Sequence, residues 1–127
     1  NQMKIAENVT LTGLITGPLK LGALQDSEVY VLPSHGEGMS IAMLEAMYMG
    51  LPVVVSDRVG LCCQILKENA GIVVSLEIDN LAEALLQMVE NSERKVIGKR
   101  GRMLVDSQYT WDKIACNLVE QIRELVP

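Results

Sequence analysis

The stretch from Val29 to Asp57, "VYVLPSHGEGMSIAMLEAMYMGLPVVVSD", decides the fold. It opens on VYVL (Val29 to Leu32), an apolar run of β-branched and aromatic residues stopped by Pro33. It closes on VVVS (Val53 to Ser56), a continuous apolar run of the kind buried on both faces of a parallel sheet. Between them, Ser40 to Met49 reads as a helix, and Gly50 and Pro52 stop it. Two acids interrupt this largely apolar stretch. Glu37 stands between Gly36 and Gly38, and Glu45, eight positions on, between Leu44 and Ala46. A carboxylate among apolar neighbours is costly unless something satisfies it.

Outward from this stretch the alternation continues. Upstream, VTLT (Val9 to Thr12) reads as a strand ended by Gly13, and Pro18 to Gln25 as a short helix with proline in its first turn. Downstream, Cys62 to Glu68 reads as a helix and IVVS (Ile72 to Ser75) as another buried strand. Three helices follow. Asn80 to Glu90 carries an Asn80/Glu83 capping-box pattern. Ser92 to Ser107 is polar, with Arg94, Lys95, Lys99, Arg100 and Arg102 on a solvated face. Trp111 to Leu125, capped by Thr110, sets Ile114, Leu118, Ile122 and Leu125 on one stripe. Trp111 is expected to anchor that helix to the sheet, and Met39, Met43 and Met47 to form a core stripe. The fold class is α/β: a Rossmann-like parallel sheet of about four strands with flanking helices.

The totals agree. A chain of 127 residues holds one domain with a real core. With 3% aromatic residues and no Phe, that core must be built from Leu, Val, Ile, Met and Ala. A net charge of -5 argues against a non-specific grip on nucleic acid or an anionic membrane. No apolar run approaches the roughly 20 residues that span a bilayer, and "NQMKIAENVTL" lacks the basic start and apolar stretch of a signal peptide. The odd count of cysteines (Cys62, Cys63, Cys116) without a CxxC pattern reads as free thiols in a reducing cytosol, and a single histidine, His35, forms no metal cluster. No metal and no cofactor are expected. The first residue is not Met, so the chain reads as a piece of something longer.

In open parallel sheets ligands bind beyond the carboxyl ends of the strands. "VYVLPSHGEGMS" is such a place: strand, tight loop, helix start. The N–H groups of Gly38, Met39, Ser40 and Ile41 begin a helix and suit an anion. Glu45 lies about 7 Å along the axis from Ser40, at about 1.5 Å per residue. A ligand as long as a nucleoside diphosphate sugar would reach from Glu37 to Glu45, and carboxylates accept paired sugar hydroxyls. There is no Walker lysine and no GxGxxG after a strand, so the anion site is helix-based.

These residues resemble the signature of the retaining GT-B glycosyltransferases of the large "group 1" family: Pro33-Ser34, Glu37-Gly38, Leu44-Glu45-Ala46-Met47, Gly50-Leu51-Pro52-Val53-Val54 and Ser56-Asp57. "VTLTG", "AGIVVSLEIDNLAEAL" and "YTWDKIACNLVEQI" resemble further parts of the same domain, so the likeness covers nearly the whole chain. The resemblance implies a partial C-terminal, nucleotide-sugar-binding domain over residues 1–127. It implies transfer of a sugar from a UDP-, GDP- or ADP-sugar to an acceptor with retention of configuration, as in cytoplasmic, membrane-peripheral enzymes of cell-surface polysaccharide biosynthesis. Glu37, the catalytic-site acid, would contact hydroxyls of the transferred sugar. The amides of Gly38, Met39, Ser40 and Ile41 would take the sugar and diphosphate, and Glu45 the ribose hydroxyls. The family's diphosphate-neutralising Arg/Lys pair and its acceptor-binding N-terminal domain are not in this sequence, so the isolated chain is expected to be inactive.

Two departures stand out. Gly38-Met39-Ser40 replaces the family's frequent Gly-Phe-Gly, and Gly60-Leu61 with Gln64 replaces a Gly-Gly and Glu in the loop from Arg58 to Gln64. The resemblance also implies a six-stranded sheet in the order 3-2-1-4-5-6, of which this chain holds strands 3, 4, 5 and 6. The run from Val29 to Leu32 is then an exposed edge that seeks a homodimer or swapped-strand partner. The alternative from a different class is a non-catalytic nucleotide- or sugar-binding or oligomerisation module.

Overall fold

The computed structural model describes residues 5–125; positions 1–4 and 126–127, with the sequence readings that fall on them, lie outside it. Three strands form a parallel sheet in the order β1 (Tyr30–Leu32), β2 (Val53–Ser56), β3 (Gly71–Val74). Tyr30 pairs with Val53 and Val53 with Gly71, so the three parallel strands start together and their following loops share one edge. Preceding and connecting them are α1 (Gly17–Asp26), α2 (Ile41–Tyr48) and α3 (Cys62–Lys67). Three helices follow: α4 (Ile78–Glu90), α5 (Arg94–Gln108) and α6 (Trp111–Leu125).

β2 is buried throughout, as a continuous apolar run between two layers must be. Val53 and Val55 meet Met43 and Met47 of α2, Ile65 of α3, and Leu104 and Val105 of α5. Val54 points to the opposite face, against Ala84 and Met88 of α4. The period of two along the strand thus builds both halves of the core. α5 comes so close to the end of α2 that a Cβ on Gly98 would strike the carbonyl of Gly50. Gly50 itself has φ 84°, the left-handed conformation that ends a helix and favours glycine.

Four expectations need correction. The run from Val9 to Thr12 is no strand, and among the described residues the sheet has three strands rather than about four. In the expected order it would pair with strand 2, which is not among the described residues, and unpaired it leaves Leu11 93% exposed. Asn80 does not cap α4: the helix begins earlier, at Ile78, and the Asn80 amide donates to Ser75 Oγ at 2.7 Å. Met39 falls in the loop before α2 and is 50% exposed, whereas Met43 and Met47 are fully buried. Trp111 anchors nothing among the described residues: it is 82% exposed, and α6 buries none of its side chains. The Thr110 cap is present, accepting from the Lys113 N–H at 3.4 Å, and the α6 stripe exists but faces solvent.

Candidate functional site

The loop after β1 is held in place by the loop after β2. Buried Ser56 donates its hydroxyl to the Ser34 carbonyl. The Glu37 N–H donates to Arg58 O at 3.2 Å, and the Gly60 N–H is shared between Glu37 O at 2.8 Å and Gly38 O at 3.1 Å. Glu37 and Val59 thus form a short parallel bridge beyond the sheet proper. A side chain at position 60 would run into the Gly38 carbonyl. Gly60 is therefore a support for the glycine loop, within the stretch where the sequence departs from the family pattern.

The other side of the loop is open. Ser40 caps α2, its hydroxyl accepting from the Met43 N–H at 3.3 Å. Among the described residues, the N–H groups of Gly38, Met39, Ser40 and Ile41 have no protein acceptor. Unpaired donors at the positive end of a helix suit an anion.

Glu37 and Glu45 are both near enough to Tyr30 for their charges to disfavour its ionisation. Burial pushes the Tyr30 phenol above its ordinary value, a hydrogen bond with the Ser40 side chain opposes the shift, and the charges of Glu37 and Glu45 add to it. Burial and the two nearby acids thus favour the neutral form of Tyr30. Glu45 has a partner of its own: Lys20 Nζ on α1 lies 2.7 Å from its Oε1, with the two side chains 35% and 33% exposed. Position-by-position reading missed Tyr30, Lys20 and Gly60. Tyr30 was legible as the strand residue before a helix-based site, whereas Lys20, 25 positions from Glu45, carries no local signal.

A separate cleft of about 520 Å³ lies at the same end of the sheet, lined by His35, Asp57, Arg58, Ser75, Leu76 and Glu77. Neither Glu37 nor Glu45 lines it. His35 is exposed there. The Cys62 and Cys63 sulfurs lie 3.9 Å apart, and burial followed by the Cys63 neighbour pushes the Cys62 thiol up, away from a reactive thiolate. Among the described residues no group of three or more His, Cys, Asp or Glu side chains is arranged to hold a metal, and no helix is long and apolar enough to cross a membrane.

Residues 1–91 match the family model described as "Glycosyl transferases group 1". The chain belongs to this family. Among curated relatives, the UDP-Gal:alpha-D-GlcNAc-diphosphoundecaprenol alpha-1,3-galactosyltransferase of Escherichia coli is 38% identical over 80 residues, 62% of this chain and 21% of that protein. The GDP-mannose-dependent alpha-(1-6)-phosphatidylinositol monomannoside mannosyltransferase of Mycobacterium tuberculosis is 27% identical over 94% of this chain and 33% of its own length. Among solved structures, sucrose-phosphate synthase from Thermosynechococcus elongatus, a GT-B enzyme, superposes with a TM-score of 0.85 at 28% identity, over 95% of this chain and 31% of that one. The chain thus spans a third or less of the length of these relatives. The three-stranded parallel sheet with its flanking helices is part of a GT-B fold.

Proposed function

We propose that this chain is the nucleotide-sugar-binding part of a glycosyltransferase that moves a sugar from a nucleotide carrier to an acceptor with retention of configuration. The observation that carries the reading is the group of four N–H donors at the start of α2 that have no acceptor among the described residues, with Glu37 just before them and Glu45 on the same helix. In this reading the amides of Gly38 to Ile41 take the diphosphate and the adjoining sugar oxygens. Glu37 accepts from hydroxyls of the transferred sugar. Glu45 accepts from the ribose diol, about 7 Å further along the helix axis. The chain's own acids thus fix the two ends of the ligand while the helix dipole stabilises its charged middle. The acceptor, a second domain and a membrane surface belong to the whole protein; relatives named for polyprenol-linked and phosphatidylinositol-linked acceptors favour a membrane-peripheral, cytoplasmic enzyme.

Calorimetric titration with UDP-galactose, GDP-mannose and an ADP-sugar tests this. At least one binds. Glu45→Ala weakens the bare nucleoside diphosphate and the sugar conjugate alike, by about tenfold to a hundredfold, because each lost charged hydrogen bond is worth about 1.5–3 kcal/mol. Glu37→Ala weakens only the conjugate. Binding indifferent to both substitutions, or none at all, overturns the reading. A chain that binds with this pattern but supports no transfer within the whole protein favours the non-catalytic module, and NMR of the product anomer decides retention.

A further inference from the structure

We propose that Lys20 is a positioning residue for the nucleoside, acting through Glu45; the inference rests on the reading of Glu45 as the ribose-binding acid. Among the described residues, Lys20–Glu45 is the only hydrogen bond made by a side chain of α1, and α1 buries none of its residues. The contact is short, 2.7 Å, and reaches Oε1 of Glu45. An ionised carboxylate has about four acceptor positions, so one ammonium contact leaves Oε2 and part of Oε1 for a cis-diol. A free glutamate on a helix surface samples several rotamers, and holding one of them removes an ordering cost from ligand binding. Lys20 reaches this carboxylate from α1, and Tyr30 on β1 is near enough to feel its charge. Lys20 is not a phosphate ligand in this arrangement. Its partner sits about 7 Å down the axis from the helix start, where the unpartnered amides face the anion.

The role separates ribose from phosphate, and so does the test. The chain is titrated with the nucleoside diphosphate it binds best and with the 2′,3′-dideoxy analogue of that ligand, in the wild type, Lys20→Met and Lys20→Arg. Circular dichroism melts confirm that each variant is folded. In the wild type the ribose form binds at least tenfold tighter than the dideoxy form. Lys20→Met loses about tenfold for the ribose form and less than threefold for the dideoxy form, so the preference collapses. Lys20→Arg restores it to within threefold. A Lys20→Met chain that keeps the full preference, or that loses both ligands equally, overturns the proposal, the second outcome assigning Lys20 to structure or to the phosphates. A wild type that binds neither form removes the ribose reading of Glu45 itself, and the role of Lys20 with it.

Discussion

Substituting Gly60 by alanine tests how the site is held together. Gly60 does not adopt a positive φ, so alanine meets no backbone strain there and its cost is spatial. Its Cβ would lie against the Gly38 carbonyl oxygen and carbon, which are backbone atoms with no rotamer to escape into. The loop after β1 must move away from the loop after β2. That movement breaks the shared hydrogen bond from Gly60 N–H to Glu37 O and Gly38 O and weakens the Glu37–Arg58 bond. Gly38 and Gly60 are exposed, so water replaces the lost partners and the hydrogen-bond loss is about 1 kcal/mol. Relieving the overlap adds about 1–3 kcal/mol. At about 4 °C per kcal/mol for a domain of this size, Tm falls by about 8–16 °C. The same shift, about 1 Å at Gly38, carries the amides of Gly38 and Met39 out of hydrogen-bond range of a bound diphosphate. Affinity for the nucleotide sugar then drops about tenfold to a hundredfold. Thermal melts, calorimetry and amide hydrogen exchange read all three effects. In the wild type the Gly60 amide exchanges slowly and those of Met39 and Ser40 fast, until ligand protects them. A Gly60→Ala chain that melts and binds as the wild type does, or a Gly60 amide that exchanges as fast as that of Met39, refutes the argument.

Three other outcomes are expected. Met47→Ala, which empties a fully buried position between α2 and the sheet, costs about 2–5 kcal/mol in urea unfolding, and a loss under 1 kcal/mol contradicts the packing described. The Tyr30 phenol titrates above its ordinary value near 10.0, so its contribution to stability is intact below that pH and declines as the solution is raised through the folded-state value. Tyr30→Phe removes that part of the alkaline decline, and identical alkaline unfolding curves for the two proteins speak against a buried, neutral hydroxyl. The outer edge of β1 carries no strand among the described residues, and an unpaired edge seeks a partner. The chain is expected to dimerise or exchange strands through it, Val31→Lys to suppress this by blunting the edge, and a wild type that sediments as a monomer at every concentration excludes the idea.

Much of the architecture was legible because it is written in short-range patterns. The VVVS run (Val53 to Ser56) is apolar throughout and became the buried central strand with those bounds. Ser40, Gly50 and Pro52 bracket a helix by backbone chemistry alone, and α2 lies between them with Ser40 as its cap. The strand–loop–helix unit that presents Gly38 to Ile41 follows from the same signals, and so does the placing of Glu37 before the helix and Glu45 within it. Local pattern misled where the deciding partner was distant. VTLT (Val9 to Thr12) has the composition of a strand, but a strand exists only by pairing, and no neighbour reaches it among the described residues. Asn80 has the chemistry of a cap, but the helix gains a turn upstream and the amide turns to Ser75. Trp111 looks like an anchor, and the tertiary packing leaves it in solvent.

Sequence by itself determined the parallel α/β frame, the three strands that pair and the helix-start amides, because each depends on residues a few positions apart. Tertiary structure alone decided that Gly60 supports the glycine loop, that the half-buried Tyr30 lies near two acids, and that Lys20 pairs with Glu45. The Gly60 and Lys20 contacts, like the Ser56–Ser34 bond, join loops and helices 22 to 25 positions apart, and such distances close only when the β2 core brings the elements together.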